Sequence, residues 1–491
     1  MKKVKSMQYR GVAARRPLCC GTAVLRPLCC GVAVLRPLCC GVAAALAILA
    51  AFAALPAAAQ PRQWTLRECC DYAVTHNISI RQQELRRRQQ EVQLSTARNS
   101  RLPDLSGSVG QNFSFGRGLT ANNTYTNTNT SSTSFSLGTT IPLFTGFQIP
   151  NQIRLSQLNL EAATQDLEKA KNDIRMQVAQ AYVQILYSQE ISAVAHRQIS
   201  IDSLQVVRLQ ALVDNGRASG AQLSQQQATL AQSRLTATQA DNNLNLALLT
   251  MTQLLELPTA DGFAVAPPSA PEGATIAGKP SSQGNEAPSG AEGGAEAVYA
   301  EALGLKPEIA AQQLRLRAAD HSIRIAQAGY MPTLSLSGGL GSNYYTNSEI
   351  SSDPFGRQLK NNFSQYIGLS LNIPIFNRFQ TRNSVRSARL EQQNQQLTLD
   401  NTKKTLYKEI QQVCLNYGAA QAKFQSSSAA VRSSQDAFTL MQAKYENGKA
   451  NITEFNEAKN NYLRAESDCA QARYELLYQH ALLQFYRGQP F

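Results

Sequence analysis

Tryptophan occurs once and histidine four times in 491 residues, and only 16% of the chain is charged. His76, His196, His321 and His480 are scattered without the spacing that metal ligands need, so no metal site is expected. No phosphate-cradling glycine loop, dinucleotide fingerprint or nucleophile elbow occurs, which leaves no expected cofactor, catalytic group or enzyme activity. Any energy source must then come from a partner. Apolar residues make up 43% of the chain among many Gln, Asn, Ala and Ser, so the core should be thin and spread along lengthy surfaces. Glycine and proline are missing from 66–101 and again from 151–215, which leaves long windows of good helix formers uninterrupted.

The first 59 residues stand apart. "RPLCCGTAVL" at Arg16 recurs from Arg26 and Arg36, followed by an apolar run from Gly41 to Leu55 and a small-residue Ala57-x-Ala59 site. A basic start, a short apolar stretch and such a site make a secretory signal peptide over 1–59, with cleavage after Ala59. The basic segment is long enough that the true start is expected downstream of Met1. Leu38 stands where a lipid-attachment signal at Cys39 or Cys40 would carry a small residue. Without the leader's eight basic residues the net charge falls from +13 to +5, which gives no electrostatic case for nucleic acid. Four cysteines remain (Cys69, Cys70, Cys414, Cys469), in no metal or redox spacing, and are read as small apolar fillers.

What is present is a repetition. "IPLFTGFQIPNQIR" from Ile141 returns as "IPIFNRFQTRNSVR" from Ile373, an offset of 232 positions. Pro142, Phe144 and Phe147 answer Pro374, Phe376 and Phe379, and "VDNGRASGAQL" around Gly216 answers "YENGKANITEF" around Gly448. The chain therefore divides into a first repeat over 60–258, a Pro-, Gly-, Ala- and Ser-rich linker over 259–295, a second repeat over 296–488 and a tail over 489–491.

Each repeat has one order of elements: helix, two strands, a very long helix, a shorter helix. Leu105, Val109, Phe113 and Phe115 alternate with Ser106, Ser108, Asn112 and Ser114, and Phe135, Leu137, Thr139, Ile141 and Leu143 follow the same rule. In the second repeat Leu334, Leu336 and Leu340 precede Ile367, Leu369, Leu371, Ile373 and Ile375. These are expected to be strands of about ten residues, a length that crosses a bilayer when tilted. An ordinary soluble hairpin is the alternative, but the neighbouring helices fit no sandwich. Asn151 to Asn215 predicts a helix of roughly 95 Å, and Ala221 to Leu257 one of roughly 55 Å. Leu66 to Arg101 predicts a third helix, similar to the second in length. Two half-length helices end to end thus match one full-length helix beside them. Such helices must pack laterally as an antiparallel coiled coil. Strand edges cannot stay open in a bilayer, and four strands cannot close a barrel, so several chains must share one.

On the evidence of "WTLRECCDYAVTHN" from Trp64, the two strand-to-helix joints, the two glycine turns and "RYELLYQHALLQFYRG" near the end, the chain resembles the TolC-type outer-membrane efflux family. The resemblance covers Trp64 to Gly488. It implies a mixed α/β membrane protein: an outer-membrane β-barrel, four strands per subunit, shared by a homotrimer and continued by a long α-helical barrel. It also implies outer-membrane lipid around the barrel, a periplasmic adaptor and an inner-membrane RND, ABC or MFS transporter.

The resemblance further implies that the tunnel closes near the turn before the last helix. Glu454 and Glu457 lie on one helix face there and align with the acids that ring the family's aperture; a solvated helix face is the alternative. Tyr445 matches a family latch residue. Its expected acidic partner is replaced by Gln222 and a latch arginine by Ala450, with Lys449 available to compensate. The turns containing Gly216, Arg217, Ser219 and Gly220, and Gly448 and Asn451, resemble adaptor-docking tips. The expected function is a passive exit duct for drugs or metal ions. A type I protein secretion duct is the alternative within the class, and a periplasmic structural coiled coil that forms no pore is the reading outside it.

Overall fold

The computed structural model describes residues 63–119, 123–259, 262–267, 294–348 and 351–489. The signal peptide reading, most of the linker and the last two residues lie outside them. In chain order the elements are β1 (Gln63–Trp64), α1 (Leu66–His76), α2 (Ile78–Asn99), β2 (Asp104–Leu119), β3 (Tyr125–Thr145), α3 (Gln148–Asp214), α4 (Gly220–Leu254) and β4 (Ala264–Val265). The second circuit is α5 (Gly294–Leu305), α6 (Pro307–Gln327), a short 3₁₀ turn (Ala328–Tyr330), β5 (Thr333–Asn347), α7 (Phe355–Asn361), β6 (Ser364–Asn372), α8 (Gln380–Glu446) and α9 (Ile452–Tyr486).

The long helices α3 and α8 have 67 residues each, about 100 Å. Helix α3 begins three residues before the expected Asn151 because Pro150 falls in the first turn, where a backbone N–H has no intrahelical partner to lose. The incoming helix, expected unbroken over 66–101, is interrupted at Asn77, whose side chain accepts from Ser79 N and starts α2 afresh. Helix α3 packs against α2 and α4 and against α6 and α9; α8 packs against α6 and α9. The staves therefore run in the order α2 with α4, α3, α6 with α9, then α8. Two half-length helices do share each full-length neighbour.

The core is thin and gathers where the half-length helices meet. Cys69, Cys70 and Ala73 of α1 pack with Val178, Tyr182 and Ile185 of α3 and Met251 of α4. Burial pushes both thiols up to about 12, so they are inert fillers. The stretch expected to be linker begins with structure: β4 pairs in parallel with β1, Phe263 and Val265 enter this core, and the Tyr182 hydroxyl donates to Ala266 O at 2.6 Å. Apolar residues at the head of a Gly- and Pro-rich segment find a buried strand edge, which composition averaged over the segment obscures. In the second repeat Val298, Ile309, Ile410 and Leu483 form the matching cluster.

The two meeting points differ in chemistry. Asn77 donates from Nδ2 to Leu254 O at 3.1 Å, closing the end of α4. At the corresponding joint Lys306 is 7% exposed, with its ammonium 3.9 Å from the Phe485 ring centre and 4.4 Å from that of Tyr486. Burial lowers its pKa to about 8. It lines a cavity of about 370 Å³ with Lys169, Asp173, Glu308 and Glu409.

The four-stranded antiparallel sheet has the order β2-β3-β5-β6. Its strands have 16, 21, 15 and 9 residues, so three of them exceed the expected ten. Strand β6 ends at Asn372, which leaves Ile373 and Ile375 outside the ladder, with a bend at Ile375, a correction to the expected strand. Above the other end of β6, α7 completes the edge of β5: the Gln358 amide bonds both backbone groups of Tyr345, and Asn362 donates to Asn343 O. Register decides the faces. Leu105 lies opposite Thr139, Val109 opposite Phe135, Leu137 opposite Leu340, and Leu336 opposite Leu369. One face therefore carries Leu105, Val109, Phe113, Phe115, Leu137, Leu340, Ile367, Leu369 and Leu371, all exposed. The other carries Ser, Gly, Thr and Asn, with Tyr366 lying across Gly339. Among the described residues no helix is long and apolar enough to cross a membrane.

Candidate functional site

Both long helices end in the same turn. Gly216 and Gly448 adopt φ of +68° and +72°, and Arg217 N and Lys449 N each donate at 2.8 Å to a carbonyl five residues back. A left-handed residue after the last helical turn satisfies carbonyls that would otherwise lack donors. The outgoing helices start with capping boxes. Ser219 accepts from Gln222 N while Gln222 Oε1 accepts from Ser219 N at 3.2 Å; Asn451 and Glu454 exchange the same pair at 2.8 and 3.2 Å.

These caps give Gln222 and Glu454 local tasks. Gln222 holds its own helix start and makes no bond to Tyr445. The residue over the Tyr445 ring is Arg208 of α3, with its guanidinium 4.9 Å from the ring centre and Nη2 donating to Glu446 O at 3.2 Å. Tyr445 also stacks on Phe455 at 5.0 Å, and burial raises its hydroxyl pKa. Glu454 and Glu457 are exposed on one side of α9, turned away from the buried Phe455 and Lys459. Lys449 and Gly220 are exposed at the tips, while Ala450 is half-buried.

Behind the tips lies a polar junction. Asp202 of α3 and Lys459 of α9 are both fully buried and form an ion pair. Asp202 also accepts from Ser233 Oγ at 2.5 Å and from Gln226 Nε2 at 3.4 Å, both on α4; Asn456 of α9 donates to Gln226 Oε1 at 3.1 Å. One carboxylate thus ties three helices together.

At the other end, each strand-to-helix joint turns on a left-handed phenylalanine. Phe147 has φ +64° and Phe379 φ +60°, and each packs edge-on against the aromatic three residues earlier, Phe144 at 5.3 Å and Phe376 at 5.5 Å. Pro142 lies in β3 beside a register shift between Pro142 and Phe144, whereas Pro374 lies beyond the end of β6.

Residues 71–256 and 298–489 match the family described as "Outer membrane efflux protein", one stretch for each repeat. The chain belongs to the outer membrane efflux protein family. Protein CyaE of Bordetella pertussis is similar to this efflux protein, 25% identical over 414 residues, 83% of this chain and 79% of that one. Among solved structures, a membrane protein from Pseudomonas aeruginosa is similar at TM-score 0.70 and 20% identity, covering 86% of this chain and 91% of that one. Campylobacter jejuni CmeC is similar at TM-score 0.70 and 18% identity, over 87% and 86% of the two chains. VceC of Vibrio cholerae is similar at TM-score 0.68 and 18% identity, over 87% and 96%. The efflux protein resides in the outer membrane, and its helical part projects into the periplasm.

Sequence reasoning missed the Asp202–Lys459 junction of this efflux protein. The signal was there in the heptads: Asp202 stands seven residues from both Ala195 and Leu209, which are buried, and Lys459 stands four from Phe455 and Leu463, also buried. A charge at a seam position of a coiled coil is a partner waiting to be named. Arg208 was missed for another reason: its contact crosses 237 positions of chain, and nothing local marks it.

Proposed function

We propose that the chain is the outer-membrane exit duct of a tripartite efflux assembly and works as a homotrimer. The observation that carries this is the pair of open edges on one protomer. Strands β2 and β6 each have one unpaired side, and the outer staves carry exposed apolar stripes with seven-residue spacing: Ile78, Leu85 and Val92 on α2, Leu390 and Leu397 on α8. Head-to-tail association joins β6 to β2 and α8 to α2 and α4 of the next copy, and closes when the rotation does. Three copies give a barrel of twelve strands, with the apolar face to lipid and the Ser, Gly and Thr face to the lumen.

Substrate then leaves passively. An inner-membrane transporter supplies the energy, and a periplasmic adaptor docks at the glycine turns, where Arg217 and Lys449 are exposed. The similar solved structure from Campylobacter jejuni is described as an outer membrane channel, which favours a conducting duct over a purely structural coiled coil. Protein secretion remains the second reading within this class, since a duct does not choose its cargo. The aperture is assigned to Glu457 and Glu454, repeated about the ring axis, with the Asp202–Lys459 and Arg208–Tyr445 contacts holding α9 and α8 against α3.

Single-channel recording in planar bilayers tests this reading. Glu454→Gln with Glu457→Gln keeps the capping box and removes the charge. The expected outcome is a small cation-preferring conductance in the wild type and loss of that preference in the double variant. Conductance unchanged by the variant removes the aperture assignment; a folded preparation that never conducts removes the duct.

A further inference from the structure

The second repeat carries a basic stripe that the first does not. No acidic residue occurs from Pro354 to Leu390, whereas Arg378, Arg382, Arg386 and Arg389 all fall there. All four side chains are exposed, and none has an ion-pair partner among the described residues. At 3.6 residues per turn, Arg382, Arg386 and Arg389 share a sector of about 60° on α8. That sector lies roughly at right angles to the buried Thr381 and Val385, which face α6 and the turn after it. At the positions 232 earlier stand Gly146, Pro150, Arg154 and Gln157, and Arg154 donates to Gln157 at 3.0 Å.

Which way the stripe points follows from the joint. In the first repeat Phe144 pairs with Leu334, beside Ile141 and Leu336 on the apolar face, and Phe147 packs against Phe144. Phe376 and Phe379 repeat that contact after Ile373 and Ile375, which are 59% and 94% exposed. The Arg382 guanidinium lies 5.9 Å from the Phe379 ring centre, which ties the stripe to the aromatic pair. Backbone strain supports a purpose. Arg378 holds φ +54°, a left-handed conformation that is unfavourable for a residue with a Cβ. The first repeat has Gly146 there because a Cβ would meet Met331 Cβ at 2.6 Å; in the second repeat the position is open and an arginine occupies it.

We infer that this stripe binds the phosphate groups of phospholipids in the periplasmic leaflet of the outer membrane, with Phe376 and Phe379 seated at the acyl boundary. The headgroup layer is about 5–7 Å thick, so it takes in Arg378 and Arg382, and Arg386 and Arg389 lie within a Debye length of it. Guanidinium groups match phosphate oxygens two at a time. The ligand is an anionic lipid surface, and its capture would set the height and tilt of the helical part beneath the barrel. The inference rests on the membrane placement of the sheet.

The test uses the purified full chain in mixed micelles holding equal amounts of phosphatidylglycerol and phosphatidylcholine, with bound lipids counted by native mass spectrometry. The wild type should prefer phosphatidylglycerol by about thirty-fold, the effect of two basic side chains at a charged surface. Arg→Gln at positions 378, 382, 386 and 389 should abolish the preference, whereas Arg→Lys at the same four should retain most of it. Removing four basic residues lower down (Arg234, Arg432, Lys444 and Arg464→Gln) should change nothing. Equal lipid uptake by the wild type, a preference that survives Arg→Gln, or equal loss in the Lys variant overturns the inference. A wild type that takes up neither lipid overturns the membrane placement beneath it.

Discussion

Lys459 illustrates how one side chain decides the state of three helices. With both charges fully buried, the Asp202–Lys459 pair adds little net stability by itself, since desolvation offsets its attraction, but losing one partner strands the other. Lys459→Met should therefore destabilise the protein by about 3–5 kcal/mol, read as a lowered melting temperature, and should raise conductance as α9 loosens from α3 and α4. Asp202→Leu combined with Lys459→Met should recover most of the stability without restoring the tie to Gln226 and Ser233. If the single and double variants melt together, the pair is not what holds the junction. The alternation of Leu105 to Phe115, the paired joints and the glycine turns were all legible in the sequence because each obeys a local rule. Gln222 and Glu454 carry a further task that was not read from the sequence: a capping box is also a local rule, and it engages both side chains.

At the scale of elements, the meeting of α5 and α6 with α9 should be pH-sensitive. Lys306 has a folded-state pKa near 8, below its ordinary 10.5, because burial disfavours the ammonium more than Glu308, Glu409 and Asp173 favour it. Between those values the unfolded chain holds more protons than the folded one, so this group makes stability rise with pH across about 8 to 10.5. Melting temperature followed from pH 7 to 10.5 should show that gain against the background of the other groups, and Lys306→Met should remove it and be the more stable variant at pH 7. A Lys306→Met profile parallel to the wild type would show that the ammonium is not desolvated there. The break at Asn77 and the small strand pair β1–β4 were beyond sequence reading because both depend on a distant chain segment: Asn77 meets Leu254, and β4 finds its partner about 200 positions back.

For the whole molecule, the exposed apolar stripes make association testable without a membrane assay. Leu85 and Leu397 are 62% and 68% exposed, and each stands at the centre or end of a seven-residue series on an outer stave. Leu85→Glu or Leu397→Glu should reduce the proposed trimer to protomers in detergent, seen as a threefold drop in protein mass by light scattering, while helix content stays unchanged. Unchanged mass in both variants would place the subunit contacts elsewhere. The stave arithmetic was legible from helix lengths alone, since 1.5 Å per residue leaves little freedom. How far β2 and β3 exceed the expected length was not, because their outer ends are rich in Asn and Thr and read as loop.

Two repeats in one chain also break a symmetry. A ring built from single circuits would be sixfold, and every substitution at a tip or a joint would appear six times around it. In the proposed trimer, two fused circuits make the ring threefold and let alternate positions diverge. One tip now carries Glu454 and Glu457 and the other Gln222 and Gln225; one joint carries a left-handed arginine and the other Gly146. The proposed selectivity at the mouth and the proposed grip on the membrane can thus evolve on separate staves, with neither change imposed on its neighbour.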